Sequence, residues 1–145
     1  MDSDSILVSV LCSLLDANNE RIHVYEKAMQ QLSEEHDLRI LFMNMIDQGR
    51  RSRNELLTEL QAKDHLKHED HVPTASVWQK LGEVFRSVNK DTVIKHCCEV
   101  EQQLQEAYDE ALCHEIPSYL RSLFTTQKEE LGSSYEEMLS FARQQ

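Results

Sequence analysis

With 145 residues, 40% of them apolar, the chain has material for one continuous core and too little for two. Only 3 Gly and 2 Pro leave few turn formers for a strand-rich fold, so the composition points to an all-helical protein. Its 15 basic and 26 acidic residues give a net charge of −11, which repels phosphate backbones, and the densest basic cluster (Arg50, Arg51, Arg53) covers one helical turn, so no nucleic-acid partner is expected.

Helix one is predicted over residues 5–32, with Asp4 or Ser5 as its cap. Its stripe of Leu7, Leu11, Leu14, Asn18, Ile22, Tyr25, Met29 and Leu32 repeats at threes and fours, as a helix buried on one side requires. Asn18 is the one polar residue on it. The run ILVSVLCSLL at residues 6–15 is too short to span a bilayer. It follows Asp2 and Asp4 where a signal peptide needs basic residues, so it reads as a core helix and no membrane partner is expected.

Helix two is predicted over residues 38–63, capped by Asp37, with a stripe of Leu38, Leu41/Phe42, Met45, Gly49, Ser52, Leu56 and Leu60. Gly49 and Ser52 are small enough to let a neighbouring backbone approach. A polar connection ends this helix before Pro73. Thr74 then caps a short helix at residues 75–88, whose apolar face includes Trp78, Leu81 and Phe85. That face either covers the bundle's own side or presents a binding surface.

Helix three is predicted over residues 92–114, capped by Asp91, with Val93, Cys97, Glu101, Leu104, Tyr108, Ala111 and Leu112 on one side. Helix four follows over residues 117–143, with Pro117 in its first turn. Its stripe is Leu120, Leu123/Phe124, Gln127, Leu131, Tyr135, Met138 and Ala142. Cys12, Cys97, Cys98 and Cys113 form no CxxC pair or disulfide framework, which suits reduced thiols and a cytoplasmic location.

Short connections make antiparallel hairpins of helices one and two and of helices three and four. The 64–91 stretch is long enough to run back along the bundle. The expected fold is therefore an all-α, ferritin-like up-down-down-up four-helix bundle forming one domain over residues 1–145, its long crossover carrying a short fifth helix. The two halves also echo each other. Tyr25-Glu26-Lys27-Ala28-Met29 matches Tyr108-Asp109-Glu110-Ala111-Leu112 at an offset of 83, and Leu38–Phe42 matches Leu120–Phe124 at an offset of 82. The first offset sets Asn18 opposite Glu101.

The segment NERIHVYEKA at residues 19–28, the 100–112 segment with Glu101 and Tyr108, and Trp78 resemble the bacterial ferritin-like family of short four-helix proteins, domain-of-unknown-function family 2383. Val100 and Gln102 stand where that resemblance leads one to expect Gly and Asp. The resemblance runs over essentially the whole chain and implies the fold rather than an activity.

A di-iron centre in such a bundle needs a Glu on each of two helices and Glu-x-x-His on each of the other two. Helix three supplies Glu101, but helix one offers Asn18. Helices two and four offer Met45-x-x-Gln48 with Gln127-x-x-Glu130, or Gln48-x-x-Arg51 with Glu130-x-x-Ser133, and neither register holds a histidine. The one Glu-x-x-His, Glu20-x-x-His23, faces away: Glu20 lies about 200° and His23 about 140° from Asn18 around the helix. No intact di-iron site is expected. The remaining metal candidates are Glu101, Glu130 and Gln127, with His65, His68 and His71 as a surface alternative of imidazoles. What the stripes do carry is an interior polar layer of Asn18, Gln48, Glu101, Gln127, Tyr25 and Tyr108, with Tyr135 nearby. In it Glu101 accepts bonds from Tyr or amide donors, or sits protonated.

No nucleophile–base pair, phosphate loop or catalytic carboxylate dyad stands out. The sequence therefore favours a non-catalytic, soluble bacterial helical protein acting through binding or assembly, with a homodimer as its candidate state. The alternative is a metal-binding ferritin-like protein, or a metal-dependent oxidase with a degenerate centre, using iron, manganese or zinc.

Overall fold

The periodic stripes become four long helices: α1 (Ser3–Gln31), α2 (His36–Gln61), α3 (Lys90–Leu112) and α4 (Ser118–Arg143). The computed structural model describes residues 3–63 and 89–143, and no strand occurs among them. The expected helix at 75–88, with Trp78, and the histidines at 65, 68 and 71 lie outside the described residues.

The helix ends show where cap-forming residues compete. α1 is already helical at Ser3, so Asp4 and Ser5 lie inside its first turn instead of capping it. α2 starts after Glu35, whose side chain makes no capping bond, and Asp37 sits in the first turn, where its charge favours the helix N-terminus. α3 is capped by Asn89, not Asp91: the Asn89 side chain accepts from the amides of Asp91 (3.0 Å) and Thr92 (3.4 Å). Pro117 stands just ahead of α4, its carbonyl accepting from the amides of Leu120 and Arg121. The Arg121 guanidinium also donates to the carbonyls of Leu112 and His114 at 3.0 and 3.1 Å, satisfying acceptors left open at the end of α3.

Contacts between helices fix their directions. Asn18 meets Tyr108 while Arg21, one turn on, meets Glu101, so α1 and α3 run antiparallel. Gln48 reaches Ser134 while Gln127 reaches Ser52 and Glu55, so α2 and α4 also run antiparallel. With each hairpin itself antiparallel, the chain goes up, down, down, up. Lys90 at the start of α3 lies 3.4 Å from Glu35 at the start of α2, so these two helices begin at the same end of the bundle.

Two apolar clusters fill the interior. One gathers Tyr25, Phe42, Met45, Val93, Cys97 and Met138; the other gathers Leu11, Leu56, Leu104, Tyr108, Phe124 and Leu131. Between them the buried residues turn polar. The predicted α2 stripe is buried throughout, Gly49 and Ser52 included. On α4 Ser134 is buried, whereas Leu123, Tyr135 and Ala142 are half-buried, because a straight helix drifts from a strict stripe over seven turns. Met29 and Leu112 are half-buried for the same reason.

Candidate functional site

The polar layer is built around a side chain that hydrophobic patterning passes over. Arg21 is 1% exposed and Glu101 0%. The Arg21 Nε donates to Glu101 Oε2 at 2.7 Å and Nη2 donates to Oε1 at 2.8 Å, a two-pronged pair that uses both carboxylate oxygens. Nη2 also donates to Gln48 Oε1 at 2.8 Å and lies 3.6 Å from the Met45 sulfur. The guanidinium carbon stands 5.7 Å from the Tyr25 ring centre, within range of a cation–π contact. Burial alone pulls the Arg21 guanidinium down; the Glu101 charge and hydrogen bonds offset this and hold it above its ordinary value. The carboxylate that could have sat protonated is thus bound to an arginine. Its close donors are two nitrogens of the single Arg21 guanidinium, a donor that the apolar stripe did not include.

Arg21 was legible in one respect. The spacing 14, 18, 21, 25, 28, 32 passes through Arg21 and Ala28, both buried, and is as regular as the stripe through Ile22 and Met29. Ile22 lies beside Arg21 and is buried too, so selection by apolarity picks the isoleucine and hides the charge. Asn18 is therefore not the one polar residue on the inner face of α1.

One turn away lies a network whose buried members are uncharged. Asn18 Nδ2 donates to Tyr108 Oη at 3.0 Å and to the Leu14 carbonyl at 2.9 Å. Tyr108 donates in turn to Gln127 Oε1 at 2.6 Å. Gln127 Nε2 bonds the exposed Glu55 carboxylate at 3.0 Å and the Ser52 carbonyl at 3.3 Å. Burial is the main reason the Tyr108 hydroxyl is pushed up to about 12. The Tyr25 hydroxyl, fully buried, has no hydrogen-bond partner, and burial followed by the Glu101 charge raises it well above its usual range.

The layer reaches solvent along the α2–α4 seam. Half-buried Gln48 accepts from Ser134 at 3.0 Å and donates to the Glu130 carbonyl at 3.4 Å. The Glu130 carboxylate points outward to Arg51 at 3.3 Å. So the candidates Asn18, Gln48, Glu101, Gln127, Tyr25 and Tyr108 gather in one layer, Glu130 stands at its edge, and half-buried Tyr135 makes none of these bonds. His23 is exposed, 3.8 Å from Glu26, whereas Glu20 is half-buried and burial raises its carboxyl above the ordinary value.

As a metal centre these residues fit poorly. Both oxygens of Glu101 are engaged by a fixed positive charge, and a cation placed there would sit against the guanidinium. Among the described residues no group of three or more His, Cys, Asp and Glu is placed to hold an ion. The nearby thiol of Cys97 is raised well above its ordinary value, by burial first and then by Glu101, so it is a protonated packing group at neutral pH.

These features define an all-helical protein with a buried ion pair joining its two hairpins. The chain belongs to the family described as a domain of unknown function (DUF2383), whose model matches residues 7–114. That match takes in all of α1 but its first turn, all of α2 and α3, and stops before α4. No curated protein and no solved structure matches the chain. No helix among the described residues is long and apolar enough to cross a membrane.

Proposed function

We propose that this protein is a non-catalytic, ferritin-like helical bundle of the bacterial cytoplasm that acts through binding or assembly. The observation that carries this reading is Arg21. In the place where a carboxylate-bridged metal would need anionic ligands, the chain puts a guanidinium and matches it to Glu101. Such a pair contributes little net stability, since two ions must leave water, but it selects one register of packing. It joins residues 80 apart in sequence, locking α1 of the first hairpin to α3 of the second. The up-down-down-up path supports the ferritin-like arrangement, and free cysteines support a reducing compartment.

The competing metal-dependent reading makes a different prediction for metal content. Protein purified without a histidine tag should contain no stoichiometric iron, manganese or zinc by elemental analysis, in wild type and in Glu101→Ala alike. Because Glu101→Ala leaves Arg21 buried without its counter-ion and is destabilised, thermal unfolding of the wild type with each metal added separately gives a second reading. The midpoint should not rise, whereas a metal bound to the native state would raise it. About one or two ions per chain, lost in Glu101→Ala, would overturn the proposal.

A further inference from the structure

We propose that the outward stripe of α2 centred on Met43 is a self-association surface, on which a second copy of this chain packs its own α2 antiparallel about a two-fold axis. This rests on the assembly reading and names its partner.

Among the described residues, Ile40 (60%), Met43 (49%) and Tyr119 (54%) are the strongly exposed large apolar side chains. Ile40 and Met43 lie one turn apart on the same helix. At about 100° per residue, His36, Arg39, Ile40, Met43, Asp47 and Arg50 all fall within about 60° of Met43, on one continuous face. Beside it a groove of about 530 Å³ opens between α1 and α2, with Met29, Met43 and Ile46 in its lining. An apolar side chain from a second copy would find a matching hollow there.

Charge identifies the occupant and its direction. Arg39 and Asp47 stand four residues to either side of Met43, and neither has an ion-pair partner among the described residues. An antiparallel two-fold pairing level with Met43 sets Arg39 opposite Asp47 of the second copy. Symmetry makes the contact twice. A parallel pairing would instead set Arg39 against Arg39 and Asp47 against Asp47. The groove is also locally balanced, with Arg39 and Arg50 against Glu26 and Asp47, on a chain whose net charge is −11. Meeting through this balanced face adds little repulsion between two copies. A single helix seam buries less than the roughly 1,600 Å² of a standard stable interface, so the association should be reversible and concentration-dependent.

Sedimentation equilibrium of the full chain over a wide concentration range tests this, with Arg39→Asp, Asp47→Arg and the double reversal beside the wild type. Both positions are exposed, and helical circular dichroism checks that each variant is folded. The wild type should dimerise reversibly. Each single reversal replaces two attractions by two repulsions and should weaken dimerisation about tenfold or more. The double reversal should return it to within about threefold of wild type. A wild type that stays monomeric overturns the proposal, as does a double reversal as weak as the singles. A dimer indifferent to both single reversals also overturns this surface while the assembly reading stands. Stoichiometric metal in the elemental analysis would strike the assembly reading instead.

Discussion

The two hairpins carry the same aromatic plan and finish it differently. Tyr25 packs on Phe42 with ring centres 5.5 Å apart, and Tyr108, at the equivalent place 83 residues on, packs on Phe124 at 6.5 Å. Both tyrosines are fully buried. In the second hairpin Tyr108 donates to Gln127 and accepts from Asn18. In the first, Met45 occupies the position equivalent to Gln127, and Arg21 occupies that of Leu104. Arg21 takes both oxygens of Glu101, the counterpart of Asn18, and the Tyr25 hydroxyl is left without a partner. A few side chains thus turn one scaffold into an ionic cluster on one side and a neutral network on the other. The backbone plan is indifferent to which is built.

The largest effect should come from removing half of the ionic cluster. Arg21→Met leaves the Glu101 carboxylate buried without its counter-ion and should cost about 3–5 kcal/mol in urea unfolding. Glu101→Gln should cost a similar amount, since it strips the guanidinium of its charge partner. The sequence alone allowed Glu101→Gln to be nearly neutral, on the footing that Glu101 was protonated. The double replacement Arg21→Met with Glu101→Leu should recover most of the loss, because packed apolar side chains substitute well for a buried ion pair. Gln48 Oε1 keeps its bond from Ser134 in that variant. A cost below about 1 kcal/mol for either single change would mean that the pair is far better hydrated than its burial indicates.

The contrast between Arg21 and the other layer members also shows what a sequence displays. Asn18, Glu101 and Gln127 interrupt apolar stripes, so one-dimensional periodicity exposes them. Arg21 does not interrupt a stripe, because Ile22 beside it completes one. Its role depends on facing Glu101 from a different hairpin, and no helical period encodes a contact between residues 80 apart. Hairpins and stripes follow from local spacing and were legible. The α3 cap was not, because Asn89 and Asp91 are both good caps, and only the extended backbone of Asn89 beside an already helical Lys90 decides between them.

The tyrosines offer the next test. A free tyrosine ionises near pH 10, whereas Tyr108 holds its proton to about 12. Above pH ~10 the unfolded chain has released a proton that the folded chain still binds, so stability must fall as pH rises. It is fully present below about pH 10, and Tyr108 accounts for a loss of up to about 2–3 kcal/mol by about pH 12. Tyr25 acts in the same direction. Urea midpoints followed from about pH 9 upward should show this decline, shallower in Tyr108→Phe. At neutral pH the two hydroxyls should separate. Tyr108→Phe strips Gln127 and Asn18 of a partner and should cost about 1–2 kcal/mol, whereas Tyr25→Phe removes an unpaired group and should cost nothing or stabilise. Equal costs would erase the distinction between the hairpins.

The smallest test concerns how closely each hairpin is closed. A methyl group added at Gly49 would lie 2.9 Å from Ile22 Cγ1, nearer than such atoms approach in proteins. That carbon is the first beyond a branched Cβ on a buried side chain, so it has little freedom to swing aside. The equivalent position on α4 is the buried Leu131, so the second hairpin fills with a side chain the place where the first admits its neighbour. Gly132, by contrast, has nothing within 4 Å of an added methyl. Gly132→Ala should therefore stabilise by about 0.5–1 kcal/mol through helix propensity alone. Gly49→Ala gains the same propensity but must displace Ile22 in a packed core, and should come out destabilising by about 1 kcal/mol. If both alanines stabilised equally, α1 and α2 would be farther apart at Gly49 than the 2.9 Å approach allows. The first hairpin would then have no closer packing than the second.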